Sequence, residues 1–210
     1  MPKSQLLQMA QAGDVSGFEN RCLDLLQSGL LRVADVSPAL AALIEKGAPA
    51  GDIRTLLGVI MENLPDGTDP QHVIDLVRTC LAADPDDAGL RQQLVESYRA
   101  AYGAEPGFDV ILDASGLLAG RPFRNACKVL DFAFGLQPGD FLLNRMDDHA
   151  AEVVDVDRAS GLFTLRREGR RVTLPATDLA RSFDRVDADD FRVLRQLHPE
   201  RLSELIANDP

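Results

Sequence analysis

In the stretch "GLQPGDFLLNRMDDHAAEVVDVDRASGLFTLRREGRRVTLP", residues 135–175, the period of the apolar residues changes, and this change indicates where a second type of fold begins. After Pro138–Asp140, apolar and polar residues alternate, as in "AAEVVDVD" and "GLFTLRRE". An alternation of period two is typical of half-buried strands. Turn-sized breaks follow at residues 158–161 and at Glu168–Gly169, and the second break predicts a tight hairpin.

Four or five strands of roughly 4–6 residues are therefore expected between residues 135 and 187, with Phe183 and Val186 near the end of the unit. A sheet this small leaves exposed edges unless it closes. We therefore expect it to curl into a small SH3-like or Tudor-like antiparallel β-barrel.

Residues 1–134 follow a pattern of helix, short break and helix. In "VSGFENRCLDLLQSG" the apolar residues share one helical face: Phe18, Cys22, Leu25 and Leu26. Ser37 before Pro38 predicts an N-cap and a first helical residue, and Asp69–Pro70 predicts another helix start. "LAADPDDAGLRQQLVESYRAAYG" resembles the junction between tetratricopeptide repeats, where an Asp-Pro turn separates two amphipathic helices. Because no strict period runs along the chain, we expect a degenerate TPR- or HEAT-like array.

These patterns predict a mainly α-helical protein with a small β unit, in three parts. Residues 1–134 form a helical repeat-like domain with a linker helix, residues 135–187 the barrel, and residues 188–210 a C-terminal helical segment. The chain ends at Asp209–Pro210, a common way to open a helix, so we expect this segment to continue into a further part.

The composition limits the function classes. A formal net charge of −11 argues against broad binding to nucleic acid, which needs a basic face. No apolar run approaches the ~20 residues of a membrane span, and the N-terminus lacks the pattern of a signal peptide. Three cysteines lie far apart in apolar helical patterns, which is typical of buried thiols in a reducing compartment. We expect a soluble cytoplasmic protein without disulfides.

No catalytic motif is recognisable. The three histidines lie in separate segments without metal-ligand spacing, and no nucleophile elbow or phosphate-binding glycine loop occurs. The loop "MDDHAAE" could bind a cation through Asp147, Asp148, His149 and Glu152, but exposed turns are ordinarily rich in such residues. Acidic pairs such as Asp86–Asp87 stand at helix starts, where they complement the helix dipole. We expect neither an enzyme nor a bound metal or cofactor.

The segment "RREGRR" is the best candidate for a binding site. Arg166, Arg167, Arg170 and Arg171 flank the predicted hairpin turn, where all four side chains can reach solvent. One interpretation is a solvated hairpin tip balanced by nearby acids. The other is a basic lip that pairs with carboxylates of a partner or with a phosphate backbone. Phe141 and Phe163 are either apolar contacts for the same partner or part of the barrel core.

From "YRAAYG" to its end, about the last half, the chain resembles the amino-terminal extension of the long, multidomain Gre-type bacterial transcription elongation factors. The matching motifs are an "SGLL.G" linker at Ser115–Leu118 and Gly120, "PGD" at Pro138–Asp140, the strand Val153–Asp157 and the tail from Asp190. The sequence departs from the family at "NRMDDHAAE", where a glycine-rich turn is usual. Nothing in the chain resembles the coiled coil with which Gre factors assist transcript cleavage.

This resemblance implies a non-catalytic interaction module that contacts RNA polymerase through the strands and arginine hairpin of its barrel. Two alternatives stay open. The first is a helical-repeat adaptor that binds a peptide or protein partner along residues 4–103. The second is a nucleic-acid-binding barrel, with weak contact to nucleic acid through the same arginines. The sequence does not indicate an oligomeric state.

Overall fold

The chain is mainly helical, with one small antiparallel sheet, as its sequence predicts. The computed structural model describes residues 2–208, and within them lie eleven α-helices and five β-strands. The chain divides after Gly103 into two compact units, each described by itself below. The predicted domain boundaries at residues 134 and 187 stay predictions. The predicted helix start at Asp209–Pro210 lies outside the described residues.

The first unit contains six helices: α1 (Pro2–Ala12), α2 (Val15–Gln27), α3 (Val36–Glu45), α4 (Ala50–Glu62), α5 (Pro70–Leu81) and α6 (Ala88–Tyr102). Each has a buried apolar face, and the predicted stripe of α2 is buried. In α2, Phe18, Cys22, Leu25 and Leu26 are all at most 2% exposed. Each helix thus exposes its polar side, and burial of its apolar side stabilises the fold by roughly 25 cal/mol per Å² of apolar surface.

Aspartates begin several of these helices. The carboxylates of Asp14, Asp69 and Asp87 each accept a hydrogen bond of 2.9 Å from a backbone N–H in the first turn of α2, α5 and α6. The predicted cap at Ser37 is wrong. A 3₁₀ turn, Val33–Asp35, runs directly into α3, so the helix already begins at Val36. Ser37 therefore lies inside the helix, and its buried hydroxyl has no hydrogen-bond partner within the described residues.

The six helices pack mainly against near neighbours in the chain. Helix α1 contacts α2 and α3, α2 contacts α4, α3 contacts α5, and α5 also contacts α4 and α6. A cavity of about 440 Å³ lies beside the α4–α5 connection and α6, with Met61, Leu64, Val73 and Ala100 among its lining residues.

The second unit begins with α7 (Phe108–Ser115) and α8 (Phe123–Gly135). The strands follow: β1 (Phe141–Asn144), β2 (Ala150–Asp157), β3 (Leu162–Arg167), β4 (Arg170–Pro175) and, after α9 (Ala176–Ser182), β5 (Phe183–Val186). Helices α10 (Phe191–Leu197) and α11 (Pro199–Asn208) complete the described chain. Helices α8 and α9 pack together, and α10 packs on β2 around Leu143, Ala150 and Val193.

The sheet has the order β4-β3-β2-β1-β5, and every neighbouring pair is antiparallel. Its core face carries Leu142, Val153, Phe163 and Leu165, none more than 1% exposed. A register shift between Val153 and Asp155 marks a bulge in β2, which increases the local bend and twist. Strands β4 and β5 do not pair with each other, so the sheet is open and the expected closed barrel is not formed by strand pairing.

The turn between β2 and β3 fastens the sheet to the helices that precede it. Arg158 in this turn donates hydrogen bonds to the carbonyl oxygens of Ala133 (3.2 Å) and Leu136 (2.9 Å) at the end of α8. A cation at a helix C-terminus satisfies carbonyls that have no partner within the helix and complements the helix dipole. Gly107, before α7, lies directly against the backbone of the same turn and has a φ of +76°.

No helix within residues 2–208 combines the length and the apolar character that a bilayer crossing requires.

Candidate functional site: the arginine hairpin and its edge strand

The predicted hairpin is formed by β3 and β4 around a two-residue turn. Both turn residues have a positive φ, +50° at Glu168 and +74° at Gly169. These are the signs that a type I′ turn requires, and its twist matches that of the two strands. The turn places Arg167 opposite Arg170 and Arg166 opposite Arg171. Sequence alternation therefore located these four residues correctly.

Two of the four arginines are used within the protein. The guanidinium of Arg166 pairs with the carboxylate of Glu152, its cross-strand neighbour on β2. Arg167 pairs with Asp147 in the β1–β2 turn and is only 26% exposed. All four side chains reach solvent to some extent, but acids on the neighbouring strand and turn hold the two on β3.

His149 belongs to the same cluster around Arg167. Its Nδ1 lies 2.9 Å from Nη2 of Arg167 and 2.9 Å from Oε1 of Glu168. An unprotonated Nδ1 accepts from Arg167, whereas a protonated Nδ1 donates to Glu168. Either state ties the β1–β2 turn to the tip of the hairpin.

The pKa of Asp147 reflects this cluster. Desolvation acts to raise it, but hydrogen bonds from the His149 backbone N–H and the Arg167 side chain, with the charge of Arg167, hold the pKa below its ordinary value. The carboxylate is thus ionised and already neutralised by a protein cation. Within residues 4–207 no group of three or more His, Cys, Asp or Glu side chains is arranged to hold a metal ion. The loop around Asp147 is accordingly a salt-bridged turn.

Arg170 and Arg171 differ from the pair on β3. Both are exposed, and neither makes a side-chain hydrogen bond or an ion pair with any residue of the described chain. Two neighbouring cations without an internal counter-charge are conspicuous in a protein with a net charge of −11. They are the part of the predicted patch that remains available to a partner.

These two residues open β4, which is an edge strand. β4 pairs with β3 alone, and no backbone hydrogen bond joins its outer edge to another segment within residues 2–208. In a hairpin closed by the 167–170 pair, ladder bonding alternates, so the N–H and C=O groups of Arg171 and Thr173 point outward. Pro175, which has no N–H, follows at the next outward position. Val172, 43% exposed, adds an apolar side chain on the core face beside this edge.

The two candidate phenylalanines lie mostly inside the unit. Phe163 is fully buried in the sheet core, so its side chain is not available to a partner in this conformation. Phe141 is half-buried against the cluster below α10, and its ring meets that of His198 edge-on at 5.7 Å between centroids. The core interpretation therefore describes Phe163, whereas Phe141 is partly buried on the opposite face of the sheet, beside α10.

The cysteines are buried thiols. Burial raises the pKa of Cys22 and of Cys80 to about 12, which keeps both groups protonated and unreactive near neutral pH. Cys127 is likewise fully buried in α8. No disulfide links the three within the described residues.

Sequence analysis missed a second group of cations. Arg121, Lys128, Arg145 and Arg181 line one cavity of about 440 Å³ between α8, the β1–β2 turn and α9. They are spread over some sixty positions of the sequence, so no charge run marks them. Only the fold brings them together.

Comparison of the chain with protein-family models, with curated proteins and with solved structures gives no match.

Proposed function

We propose that this chain is a non-catalytic protein-interaction module whose edge strand β4 and arginines 170 and 171 contact an acidic partner surface. The observation that carries this proposal is the unsatisfied edge of β4, whose first two side chains are exposed cations without an internal partner. An open edge offers main-chain donors and acceptors to an extended segment, and the flanking charges select the partner.

The charges favour an acidic extended segment. Carboxylates meeting Arg170 and Arg171 would form charge-assisted hydrogen bonds that each contribute about 1.5–3 kcal/mol. The chain as a whole has a net charge of −11, so its acidic surface outside the hairpin would orient the partner toward the hairpin by repelling it elsewhere. Edge arginines can also protect a strand from pairing, so the proposal requires a measurement at the edge itself.

The partner that we propose is bacterial RNA polymerase, as the resemblance to Gre-type elongation factors implies. In this proposal the module is carried by a longer factor and acts in the cytoplasm. It holds the hairpin against an acidic element of the enzyme and takes no part in catalysis.

The finer architecture belongs to the same proposal. Contacts of α1 with α3, α3 with α5 and α2 with α4 support a degenerate TPR- or HEAT-like array. The bulge in β2 and the short strands support an SH3-like or Tudor-like unit that curls without closing.

The test is capture of purified bacterial RNA polymerase by the immobilised full chain. Arg170→Gln with Arg171→Gln is expected to weaken capture at least about tenfold, because two charge-assisted contacts are lost. Lys46→Gln with Arg201→Gln removes the same charge at exposed positions elsewhere and should leave capture unchanged. Equal losses in the two variants would mean that only net charge matters. No capture by the wild-type chain would remove polymerase as the partner.

The outward edge is tested separately by Thr173→Pro. Proline removes an N–H that points away from β3, so the ladder within the hairpin is kept. Weakened capture, with an unchanged circular dichroism spectrum and melting temperature, would support pairing along this edge. Unchanged capture would restrict the contact to the arginine side chains.

A second candidate function is favoured by the cavity of the first unit. Its lining by α4, the α4–α5 connection and α6 would suit a peptide bound by a helical-repeat adaptor. Ala100 is exposed at its wall, so Ala100→Arg fills the cavity without removing core contacts. Loss of partner binding in this variant, with binding retained by the hairpin variants, would support the adaptor.

The nucleic-acid alternative predicts steep salt dependence of oligonucleotide binding that is lost on replacing Arg170 and Arg171.

A further inference from the structure

The cavity between α8, the β1–β2 turn and α9 concentrates positive charge in an acidic protein. Four of the eight residues that line it are basic, and among the described residues its lining contains no aspartate or glutamate. Arg121 precedes α8, Lys128 lies on α8, Arg145 begins the β1–β2 turn and Arg181 lies on α9. None of the hairpin arginines takes part, so the cavity is a second and separate site.

Two of the four cations, Arg145 and Lys128, are held in place by hydrogen bonds. Arg145 donates to Asp184 from Nε (3.0 Å) and Nη2 (2.8 Å), and from Nη1 to the carbonyl oxygen of Arg181 (2.9 Å). Lys128 donates to the same Asp184 carboxylate at 2.9 Å. A guanidinium and an ammonium fixed in this way lose little further side-chain entropy when a ligand binds.

These contacts do not exhaust the donors at the cavity. Arg145 has five N–H groups and uses three of them in these bonds, and the Lys128 ammonium donates to Asp184 with one of three. Arg181 lies only at ion-pair distance from Asp178, 3.7 Å. The side chains of Asn125 and Thr177 also line the cavity, and neither has a hydrogen-bond partner within the described chain. Charged and neutral donors thus converge on one space.

This donor set matches a compact oxyanion with several acceptor oxygens. Guanidinium and ammonium groups bind phosphate by charge-assisted hydrogen bonds, and hydroxyl and amide donors complete the shell. A volume of about 440 Å³ lies in the range of small-molecule pockets. Most of the charge of a long polyanion would lie outside the cavity and be repelled by a protein with a net charge of −11. All of the charge of a small ligand would lie inside the cavity, next to the cations.

We propose that this cavity binds the phosphate group of a small phosphorylated molecule, with Lys128, Arg145 and Arg181 as its charged ligands and Asn125 and Thr177 as neutral donors. The site depends neither on the edge of β4 nor on a polymerase partner.

The test is titration of the full chain with pyrophosphate by isothermal calorimetry, at constant ionic strength set with sodium chloride. Saturable binding with one site is expected. Lys128→Gln with Arg181→Gln should weaken it at least tenfold. Arg170→Gln with Arg171→Gln removes the same charge from the hairpin and should change it less than twofold. Absence of saturable binding, or equal weakening by the two double variants, would overturn the proposal.

A second variant guards against a loss caused by disturbed folding. Thr177→Glu places a carboxylate in the cavity while keeping every contact of Asp184, so it should abolish pyrophosphate binding with the melting temperature unchanged. Wild-type affinity in this variant would contradict the assignment. A single-stranded oligonucleotide of twenty nucleotides supplies the other source of phosphate. If it binds more tightly than pyrophosphate under the same conditions, the occupant is a nucleic-acid backbone and the small-molecule proposal fails.

Discussion

Substitution of Gly107 by alanine is expected to destabilise the second unit strongly. The backbone of Gly107 has a φ of +76°, and a Cβ atom there would lie 2.1 Å from the carbonyl oxygen of Arg158 and 2.9 Å from Cα of Ala159. Both neighbours are backbone atoms of the β2–β3 turn, so no side-chain rotation relieves the contact. The turn or the start of α7 must move.

The cost has two parts. A left-handed conformation costs a non-glycine residue about 1–2 kcal/mol. Overpacking against fixed atoms adds about 1–3 kcal/mol. The sum, about 2–5 kcal/mol, is a large share of the 5–15 kcal/mol that usually stabilises a domain. Gly120→Ala is the matched control, since Gly120 has a φ of +79° and nothing within 4 Å of its added Cβ. It should cost the conformational part alone.

The three buried cysteines provide the assay. Cys127 lies in the second unit, whereas Cys22 and Cys80 lie in the first, so thiol labelling in urea, read by peptide mass spectrometry, reports each unit separately. With a denaturant dependence of about 1–2 kcal/mol per molar urea, Gly107→Ala should lower the Cys127 midpoint by about 1–5 M. The other two midpoints should not move. Equal midpoints for the two glycine variants would refute the close approach.

Three further predictions concern single groups. Hydrogen bonds from Ser160 lower the pKa of Asp157, so the stabilisation that they provide is present at neutral pH and is lost as the pH falls below about 4. The difference in melting temperature between wild type and Ser160→Ala should therefore shrink below that pH. A difference independent of pH would contradict this cause. Burial raises the pKa of Cys22 and Cys80 to about 12, so the native protein should not react with Ellman's reagent at pH 8. The unfolded chain should react at all three thiols. Rapid reaction of the thiols in the native protein would contradict their burial. Arg158→Met should destabilise the second unit by about 1–3 kcal/mol in urea unfolding, because the last carbonyls of α8 lose a charged hydrogen-bond donor. An unchanged unfolding midpoint would show that water replaces the guanidinium as the donor.

The local elements of this protein could be predicted because backbone geometry imposes a period on each of them. Residues at i, i+4, i+7 and i+8 share a helical face whatever the rest of the chain does, and the stripe from Phe18 to Leu26 is buried accordingly. The change to period two after Pro138 marked the sheet, and Glu168–Gly169 marked its tightest turn. The Ser37 cap prediction failed because a 3₁₀ turn leads directly into the helix, which therefore already begins at Val36.

The candidate binding surfaces, in contrast, depend on tertiary structure. Four arginines of one hairpin are equivalent in sequence, yet Glu152 and Asp147 neutralise two of them, since strand register and the β1–β2 turn place those acids within reach. Charges attract through space, so which cations stay free depends on neighbours distant in the chain. The cationic cavity follows the same rule, because α8, the β1–β2 turn and α9 meet only when the sheet has formed. Sequence alone determined which segments are helix and strand through local periodicity. Within the described residues, the open edge, the two hairpin arginines without an ion pair and the cavity exist only because long-range packing determines the neighbours of each strand and each charge.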